Sequence, residues 1–250
     1  MWAASSMESM RTLGLDPSLR AYGWCVYDSE APIRERRVAS GHEGTLSLTV
    51  PVARFMHFRS MVVDLLDRYE VQAVGIESPA YGGGPFSENH FGLMMFSLEA
   101  IFEYRKDCVL FDPTTLKFLV GKSTFGKMDM QRFVQLDTMD PKVINNDEAD
   151  AYCVARFASR FMNLRSSNLD PSDLSENEKR VFLQRTRKLK SAAGIQRVKR
   201  TAHAFRENSR FFCFSQVPRG DVKLPSRGQI NPDLLKWLSD EDTLKEVMDS

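Results

Sequence analysis

Apolar residues recur along this chain in two rhythms, one typical of strands and one typical of helices. Residues 11–28 predict two strands around a turn at 17–20, and residues 33–40 predict a third strand of an antiparallel meander. Short apolar runs at 72–77 and 108–111 predict two further, buried strands. Helical periodicity predicts five helices, at about 51–69, 87–105, 113–120, 127–136 and 147–164. Together these elements predict a mixed five-stranded sheet flanked by helices, an α/β domain over residues 11–165.

The segments on either side of this domain have a different character. Residues 1–10 lack a periodic pattern and are predicted to be a disordered leader. Residues 166–250 predict a C-terminal extension, with a basic helical segment over about 174–208 and a short acidic amphipathic helix over 233–250. Between Glu176 and Arg210 there are eleven basic and three acidic residues, whereas the whole chain has a net charge of only +1. Positive charge is therefore concentrated in the extension.

Composition narrows the class of protein further. Of the 250 residues, 42% are hydrophobic and 27% are charged, which is ordinary for a globular domain. The four cysteines are scattered without metal-ligand spacing, and Cys25, Cys108 and Cys153 lie in apolar runs that suit buried reduced thiols. No apolar run is long enough for a membrane span, and the N-terminus does not have the pattern of a signal peptide. We therefore predict a cytoplasmic protein without a membrane partner.

Four acidic residues stand in settings that suit metal ligands. Asp16 and Glu77 each follow a short apolar run, so both are predicted at the carboxyl end of a buried strand. Asp147 and Asp150 are three residues apart, which places them on the same face of the predicted helix. Four converging carboxylates repel one another unless cations neutralise them, and hard oxygen ligands suit Mg²⁺ or Mn²⁺. A pair of such ions drives phosphodiester hydrolysis, so the pattern predicts a two-metal nuclease.

Each carboxylate also has a simpler interpretation. Asp16 precedes Pro17 and Ser18 and could cap a turn, which is a common role for aspartate. Asp147 and Asp150 could serve only to stabilise a helix N-terminus. Glu77 is harder to explain in this way, because a carboxylate at the end of a buried strand is costly without a partner. The order of all four along the predicted elements is what favours a metal site.

These motifs resemble the RuvC family of Holliday-junction resolvases, within the RNase H-like superfamily. The resemblance covers about residues 11–164 and rests on the sequences Leu-Gly-Leu-Asp-Pro-Ser at 13–18, Gly-Ile-Glu at 75–77 and Asp-Glu-Ala-Asp-Ala at 147–151. It implies an RNase H-like fold and an endodeoxyribonuclease that resolves four-way and branched DNA with paired symmetric nicks. It also implies that Asp16, Glu77, Asp147 and Asp150 bind two Mg²⁺ ions, for which Mn²⁺ substitutes. Asp16 would bridge the two ions, and Glu148 would be a bystander.

Lysines around the loop at 121–126 extend the resemblance. Lys117, Lys122 and Lys127 match positions that contact the DNA backbone in the family, and Lys127 is the candidate for offsetting charge during catalysis. The alternative is that all three are solvated surface lysines. The residues Gly121 to Thr124 suggest a phosphate-binding loop, but Leu116 stands where that motif needs a glycine. We therefore predict no nucleotide cofactor.

Further DNA contacts are predicted outside the carboxylate cluster. The Gly- and Pro-rich loop after Glu77 carries Tyr81 and Phe86, which could stack on an unpaired base, although Phe86 could equally pack in the core. The basic segment of the extension includes Arg187 and Lys188, which could bind phosphates or form a solvated face. Two symmetric cuts need two sites, and the apolar helix at 87–105 is the predicted homodimer interface. The extension suggests a bacteriophage or large-virus member of the family.

Three other functions share some of these features. An RNA/DNA-hybrid nuclease or a transposase would use the same carboxylates on a different substrate. A sugar-kinase or actin-like ATPase has a similar strand–turn–strand with an early aspartate, but it needs a second phosphate-binding hairpin that the sequence does not contain. A catalytically silent junction-binding protein would keep the fold and would not cut DNA.

Overall fold

A central sheet with helices on both faces forms the protein. The structure is a computed structural model that describes residues 10–18, 21–44, 51–78, 87–142, 144–183, 186–191, 194–199 and 210–214. The first five strands are β1 Arg11–Asp16, β2 Tyr22–Asp28, β3 Arg37–Glu43, β4 Ala73–Glu77 and β5 Asp107–Phe111. The five predicted helices are α1 Pro51–Tyr69, α2 Ser87–Glu103, α3 Pro113–Val120, α4 Lys127–Thr138 and α5 Asn146–Arg165. The predicted mixed sheet flanked by helices is therefore confirmed.

The sheet has the order β3-β2-β1-β4-β5-β8, where β8 is a short strand at Phe211–Phe214. Strands β1 to β3 form the predicted antiparallel meander, and β1, β4, β5 and β8 run parallel to one another. The prediction of a strand over 33–40 is wrong at its start. Residues Ile33–Glu35 form a 3-10 helix after Pro32, in which the Glu35 amide donates a hydrogen bond of 2.7 Å to the Pro32 carbonyl oxygen, and the strand begins at Arg37.

Two hydrophobic cores form because alternate side chains of each strand face opposite sides of the sheet. Leu13 and Leu15 of β1, with Val74 and Ile76 of β4, pack against α1 and α2. On the other side, α3, α4 and α5 cover the sheet, and α5 contributes five fully buried residues: Ala151, Val154, Ala155, Ala158 and Phe161. Since Leu15 and Ile76 face α1 and α2, Asp16 and Glu77 belong to the face that carries α5.

Glycines in the middle of the sheet let α5 lie unusually close to it. Gly14 of β1 pairs with Gly75 of β4, so the two lie side by side under the helix. A Cβ atom on Gly14 would lie 2.0 Å from the carbonyl oxygen of Ala151, and one on Gly75 would lie 2.7 Å from a methyl of Val154. The helix therefore sits at a height above the sheet that a side chain at either position would not allow.

The extension differs from the predicted basic helix over 174–208. A short helix, α6 Glu176–Glu178, continues as a π-helical turn over Lys179–Leu183. The chain then forms an antiparallel hairpin, β6 Thr186–Ser191 and β7 Gly194–Lys199. Gly194 is the first residue of β7, and Ile195 and Val198 favour a strand. The many charged residues of this segment made its extended pattern hard to recognise in the sequence. The predicted acidic helix at 233–250 and residues 1–9 of the predicted leader lie outside the described residues.

Part of the extension also completes the core of the α/β domain. The ring of Phe161 in α5 lies 5.5 Å from Phe182, 5.2 Å from Phe212 and 4.8 Å from Phe214, measured between centroids. Strand β8 adds to the open edge of β5, with Val109 paired to Phe212. The sheet therefore has six strands where five were predicted, and the sixth comes from beyond residue 165.

The structure also tests the predictions about the cysteines and about membrane-spanning segments. Cys25, Cys108 and Cys153 are buried free thiols, as predicted. Within the described residues, no helix combines the length and the apolar character needed to cross a bilayer.

Candidate active site

The first two carboxylates are neighbours in the sheet. Leu15 of β1 pairs in parallel with Ile76 of β4, so the next residues, Asp16 and Glu77, end the two strands side by side. Both are half-buried and lie on the face covered by α5. The carboxyl ends of parallel strands are where α/β proteins commonly place their sites. The predicted position of both residues at a strand end is confirmed.

The start of α5 lies directly over this edge of the sheet. Asn145 caps the helix, because its side chain accepts a bond of 3.0 Å from the Asp147 amide. Gly23 of β2 pairs with Asp16, and a Cβ atom on Gly23 would lie 2.2 Å from the Asp147 carbonyl oxygen. The backbone of Asp147 therefore packs on the residue beside Asp16, and Asp150 follows one turn further into the helix.

The four carboxylates act on one another electrostatically. Removal from solvent raises the pKa of Asp16 well above its usual range, and the charges of Asp150 and Asp147 raise it further. The pKa of Glu77 is raised in the same way, first by burial and then by Asp16 and Asp150. Burial is also the main cause that raises the pKa of Asp150 to about 6. Burial and mutual repulsion therefore disfavour the ionised forms of Asp16, Glu77 and Asp150 at this edge of the domain.

Two of the three predicted lysines reach the same charge cluster. Lys127, the first residue of α4, lowers the pKa of Asp16 and of Asp150. The half-buried Lys117 of α3 lowers the pKa of Glu77 and of Asp150. Lys122 is exposed in the loop between these helices. Lys117 and Lys127 thus lie close enough to the carboxylates to offset part of their negative charge.

The donor set fits a hard divalent cation in type and charge. Four oxygen ligands on three rigid elements suit Mg²⁺, and a bound cation would offset the burial and the charge repulsion that raise the pKa values of Asp16, Glu77 and Asp150. In the described part of the chain, however, no group of three or more His, Cys, Asp or Glu side chains already converges closely enough to hold an ion. The carboxylates share a neighbourhood without forming a closed cage, and the metal ligands stay a prediction.

Glu148 has a structural role that the sequence did not reveal. Its carboxylate accepts a bond of 2.6 Å from the Ser40 hydroxyl and lies 3.2 Å from Nδ1 of His42, both in β3. These contacts hold the start of α5 against the edge of the meander. Glu148 therefore helps to position its neighbour Asp147, although it lies apart from the predicted ligands.

Asp112 is a second acidic residue near the site that sequence reasoning missed. It follows β5, caps α3 by accepting a bond of 2.6 Å from the Thr115 amide, and its charge raises the pKa of Glu77. An aspartate before proline at the start of a helical pattern is a capping signal, so the sequence did contain a hint of this role.

Some predicted DNA contacts cannot be placed at the site. Tyr81 and Phe86 lie outside the described residues. Arg187 and Lys188 are in β6, where the backbone is described and forms the first strand of the hairpin.

Comparisons with known proteins agree with this arrangement at the level of the fold. No protein-family model matches the chain, and no curated protein sequence matches it. A structure of RuvC from Thermus thermophilus aligns with a TM-score of 0.53 and 19% identity, over 63% of this chain and 97% of that one. The chain has a RuvC-like resolvase fold. A second structure, T. thermophilus RuvC in complex with Holliday junction substrate, aligns with a TM-score of 0.52 and 16% identity, over 63% and 96% of the two chains.

The alignment covers a larger share of the RuvC chain than of this chain. RuvC is covered almost completely, whereas more than a third of this chain has no counterpart in it. The RuvC-like fold therefore accounts for the α/β domain and leaves additional chain that the aligned RuvC structure lacks.

Neutralising Asp150 should stabilise the metal-free protein at neutral pH. The pKa of Asp150 is about 6 in the folded state, against an ordinary value of 3.8, so the folded state binds more protons between these values. Protonation of Asp150 therefore stabilises the folded state at low pH, and this stabilisation is lost as the pH rises through about 6. In a chelating buffer at pH 7, Asp150→Asn should raise the free energy of unfolding by about 1–3 kcal/mol. Urea denaturation measures this, and a gain that persists at pH 3.5 would contradict the explanation.

Proposed function

We propose that this protein is an endodeoxyribonuclease that resolves four-way and branched DNA junctions. The observation that carries the proposal is the grouping of Asp16, Glu77 and Asp150 with Asp147 at one edge of a RuvC-like fold, where each charge acts on the others. A solved protein with the same fold is RuvC in complex with Holliday junction substrate. Paired symmetric nicks across a junction are the expected outcome of the reaction.

The four carboxylates would hold two Mg²⁺ ions, with Asp16 and Glu77 supplied by adjacent strand ends and Asp147 and Asp150 by the start of α5. When bound, such a pair would acidify the attacking water molecule and stabilise the leaving oxygen during an in-line displacement at phosphorus. The protein's own contribution is to fix the ligands on two strands and one helix. Hydrolysis would leave a 5′-phosphate and a 3′-hydroxyl.

Cations of the chain would hold the phosphate in place. Lys117 and Lys127 already act on the carboxylate cluster, so a phosphate bound there would lie within their influence. Lys127 is the candidate to offset negative charge that develops during the reaction, as preorganised cations do elsewhere. Lys122, on the exposed loop, would contact the backbone further from the cut. The basic segment that contains Lys188 would add affinity, and Tyr81 and Phe86 would stack on unpaired bases.

Two symmetric cuts require two copies of the site, so the proposal includes a homodimer. Large apolar side chains remain exposed at the beginnings of α1 and α2, where Val52 is 55%, Met56 58% and Phe91 36% accessible. Exposed apolar residues grouped in this way are typical of a surface that another protein covers. The ends of α1 and α2 away from this group are polar, since Arg59 pairs with Glu99 and Glu103. The dimer contact is therefore proposed at the beginnings of the two helices.

Cleavage of end-labelled DNA tests the proposal. The substrates are a four-way junction, a linear duplex of the same arm sequence and an RNA/DNA hybrid, each with Mg²⁺, with Mn²⁺ and with chelator. We expect paired nicks in opposed strands of the junction that need a divalent cation, with the linear duplex left intact. Preferred cutting of the hybrid would instead identify a hybrid nuclease. Tight junction binding without cutting in either metal would identify a silent binding protein.

A further inference from the structure

The hairpin formed by β6 and β7 is unusually basic. Over residues 186–199 it contains five basic residues and no acidic residue. It also contains no aromatic residue, so it lacks the side chains that stack on unpaired bases. A surface with this composition suits the phosphate groups of nucleic acid and not its bases.

The register of the hairpin sorts these residues between its two faces. Directly paired residues of an antiparallel ribbon share a face, and the faces alternate along each strand. Lys188 pairs with Arg197, Thr186 with Lys199, and Lys190 with Ile195. Four of the five cations therefore belong to one face, which we call the basic face: Lys188, Lys190, Arg197 and Lys199.

The opposite face has a different composition. Arg187 pairs with Val198 and Leu189 pairs with Gln196, so Arg187 is the single cation on that face. Arg187 and Lys188 are adjacent in sequence and carry the same charge, yet the register assigns them to opposite faces. Alternation of this kind is a property of the ribbon, since a basic helix or an unstructured tail would not separate these two neighbours by face.

We propose that the basic face of the hairpin binds the phosphate backbone of a duplex arm of DNA, independently of base sequence. Residues two apart on a strand are separated by about 6.6 Å, and neighbouring strands by about 4.8 Å, so four cations form a compact patch. Duplex DNA carries one negative charge per roughly 1.7 Å of its axis, so this patch faces several phosphates at once. The choice of DNA as the nucleic acid rests on the proposed function.

The connections of the hairpin link this binding to the nuclease domain. Before it, Phe182 is buried against Phe161 of α5. After it, β8 pairs with β5 in the sheet. Because both flanking segments are built into the core, the hairpin is tethered at its two ends. A duplex arm held by the basic face is thus held by the same molecule that carries the carboxylates, which raises their effective concentration around the junction.

The test is the salt dependence of DNA binding by the full-length chain, compared between two single variants. Dissociation constants are measured in chelator, where no cleavage occurs, for a four-way junction and for a linear duplex from about 50 to 300 mM salt. Lys188→Ala should reduce the slope of log K against log salt by about 0.9, because one phosphate contact is lost. Arg187→Ala should leave the slope unchanged. Lys199→Ala, at the other end of the basic face, should repeat the effect of Lys188→Ala.

A combined variant strengthens the comparison. Replacing Lys188, Lys190, Arg197 and Lys199 together by alanine should reduce the slope by about 3 to 4, on the linear duplex as well as on the junction. Thermal unfolding of each variant, followed by circular dichroism, shows whether the nuclease domain remains folded. A variant that unfolds is replaced by the corresponding lysine-to-glutamine or arginine-to-glutamine change.

The outcomes separate this inference from the proposed function. Equal slopes for Lys188→Ala and Arg187→Ala would overturn the assignment to a face, and an unchanged slope in the combined variant would overturn binding by the hairpin. Tighter binding of an RNA duplex than of a DNA duplex, lost in the combined variant, would overturn DNA as the ligand. If four-way junctions are not cut but the slopes differ as expected, the proposed function fails and this inference stands. If junctions are cut and the slopes do not differ, the proposed function stands and this inference fails.

Discussion

Replacing Glu77 by glutamine is expected to lower junction cleavage by about 10³-fold or more while leaving junction binding intact. The change keeps the shape of the side chain but removes one negative charge from the end of β4, where Asp16 and Asp150 lie close enough to raise its pKa. A neutral amide is a poor ligand for a hard divalent cation, and losing a ligand that acts on the reacting phosphate costs several kcal/mol of transition-state stabilisation. Single-turnover cleavage of a labelled junction in Mg²⁺ measures the rate, and electrophoretic mobility measures binding.

Glu148→Gln is the matched control for this experiment. Glu148 is also acidic and lies next to Asp147, but its oxygens are engaged by Ser40 and His42, and an amide oxygen can still accept from the Ser40 hydroxyl. Cleavage by this variant should remain within about tenfold of the wild type, the lower range expected for a supporting residue. Similar losses in Glu77→Gln and Glu148→Gln would count against the assignment of Glu77 as a ligand.

Replacing Gly14 by alanine should lower the free energy of unfolding by about 3 kcal/mol or more. The added Cβ would lie 2.0 Å from the Ala151 carbonyl oxygen and 2.6 Å from the Ala155 amide nitrogen. Both atoms belong to the backbone of α5, so no side chain can rotate away and the helix itself has to move. Because α5 carries Asp147 and Asp150, cleavage should fall together with stability. Urea denaturation and the junction assay measure the two effects.

Gly126→Ala separates this clash from the general effect of replacing a glycine. A Cβ on Gly126 would have its nearest neighbour, an Asp129 carboxylate oxygen, at 3.8 Å, which is an ordinary contact. The backbone of Gly126 is extended, with φ of −94°, so alanine is accommodated there. This variant should cost no more than about 1 kcal/mol, as expected for alanine at a helix N-cap. If Gly14→Ala cost equally little, the close packing of α5 on the sheet would be wrong.

Most of the α/β domain could be predicted from the sequence because its signals are local. Strands β1, β4 and β5 are short apolar runs, and α5 repeats small and apolar residues at helical spacing, so element type and order follow from periodicity. The carboxylates were recognisable for the same reason, since Asp16 and Glu77 stand where the apolar runs stop. What periodicity could not supply is the pairing of Gly14 with Gly75, which depends on strand register.

The extension was harder to predict because its structure depends on distant partners. Strand β8 has only four residues and exists as a strand because the edge of β5 is available to it. In the hairpin, the density of positive charge obscured a period of two that separates Arg187 from Lys188. Glu148 is a similar case, because its partners in β3 are more than 100 residues away in sequence, and no local pattern reveals such a contact.

The position of β8 at the end of the sheet has a consequence for how the protein is made. The ribosome completes the last of the four carboxylates, Asp150, well before it reaches Phe214, at the end of the strand that pairs with β5. At about 5–20 residues per second, the intervening stretch takes several seconds to synthesise. During that interval the nascent chain carries all four carboxylates, while the edge of β5 and the ring of Phe161 lack their partners in β8. The six-stranded sheet is therefore completed late in translation, after the segment that contains the basic hairpin has been synthesised.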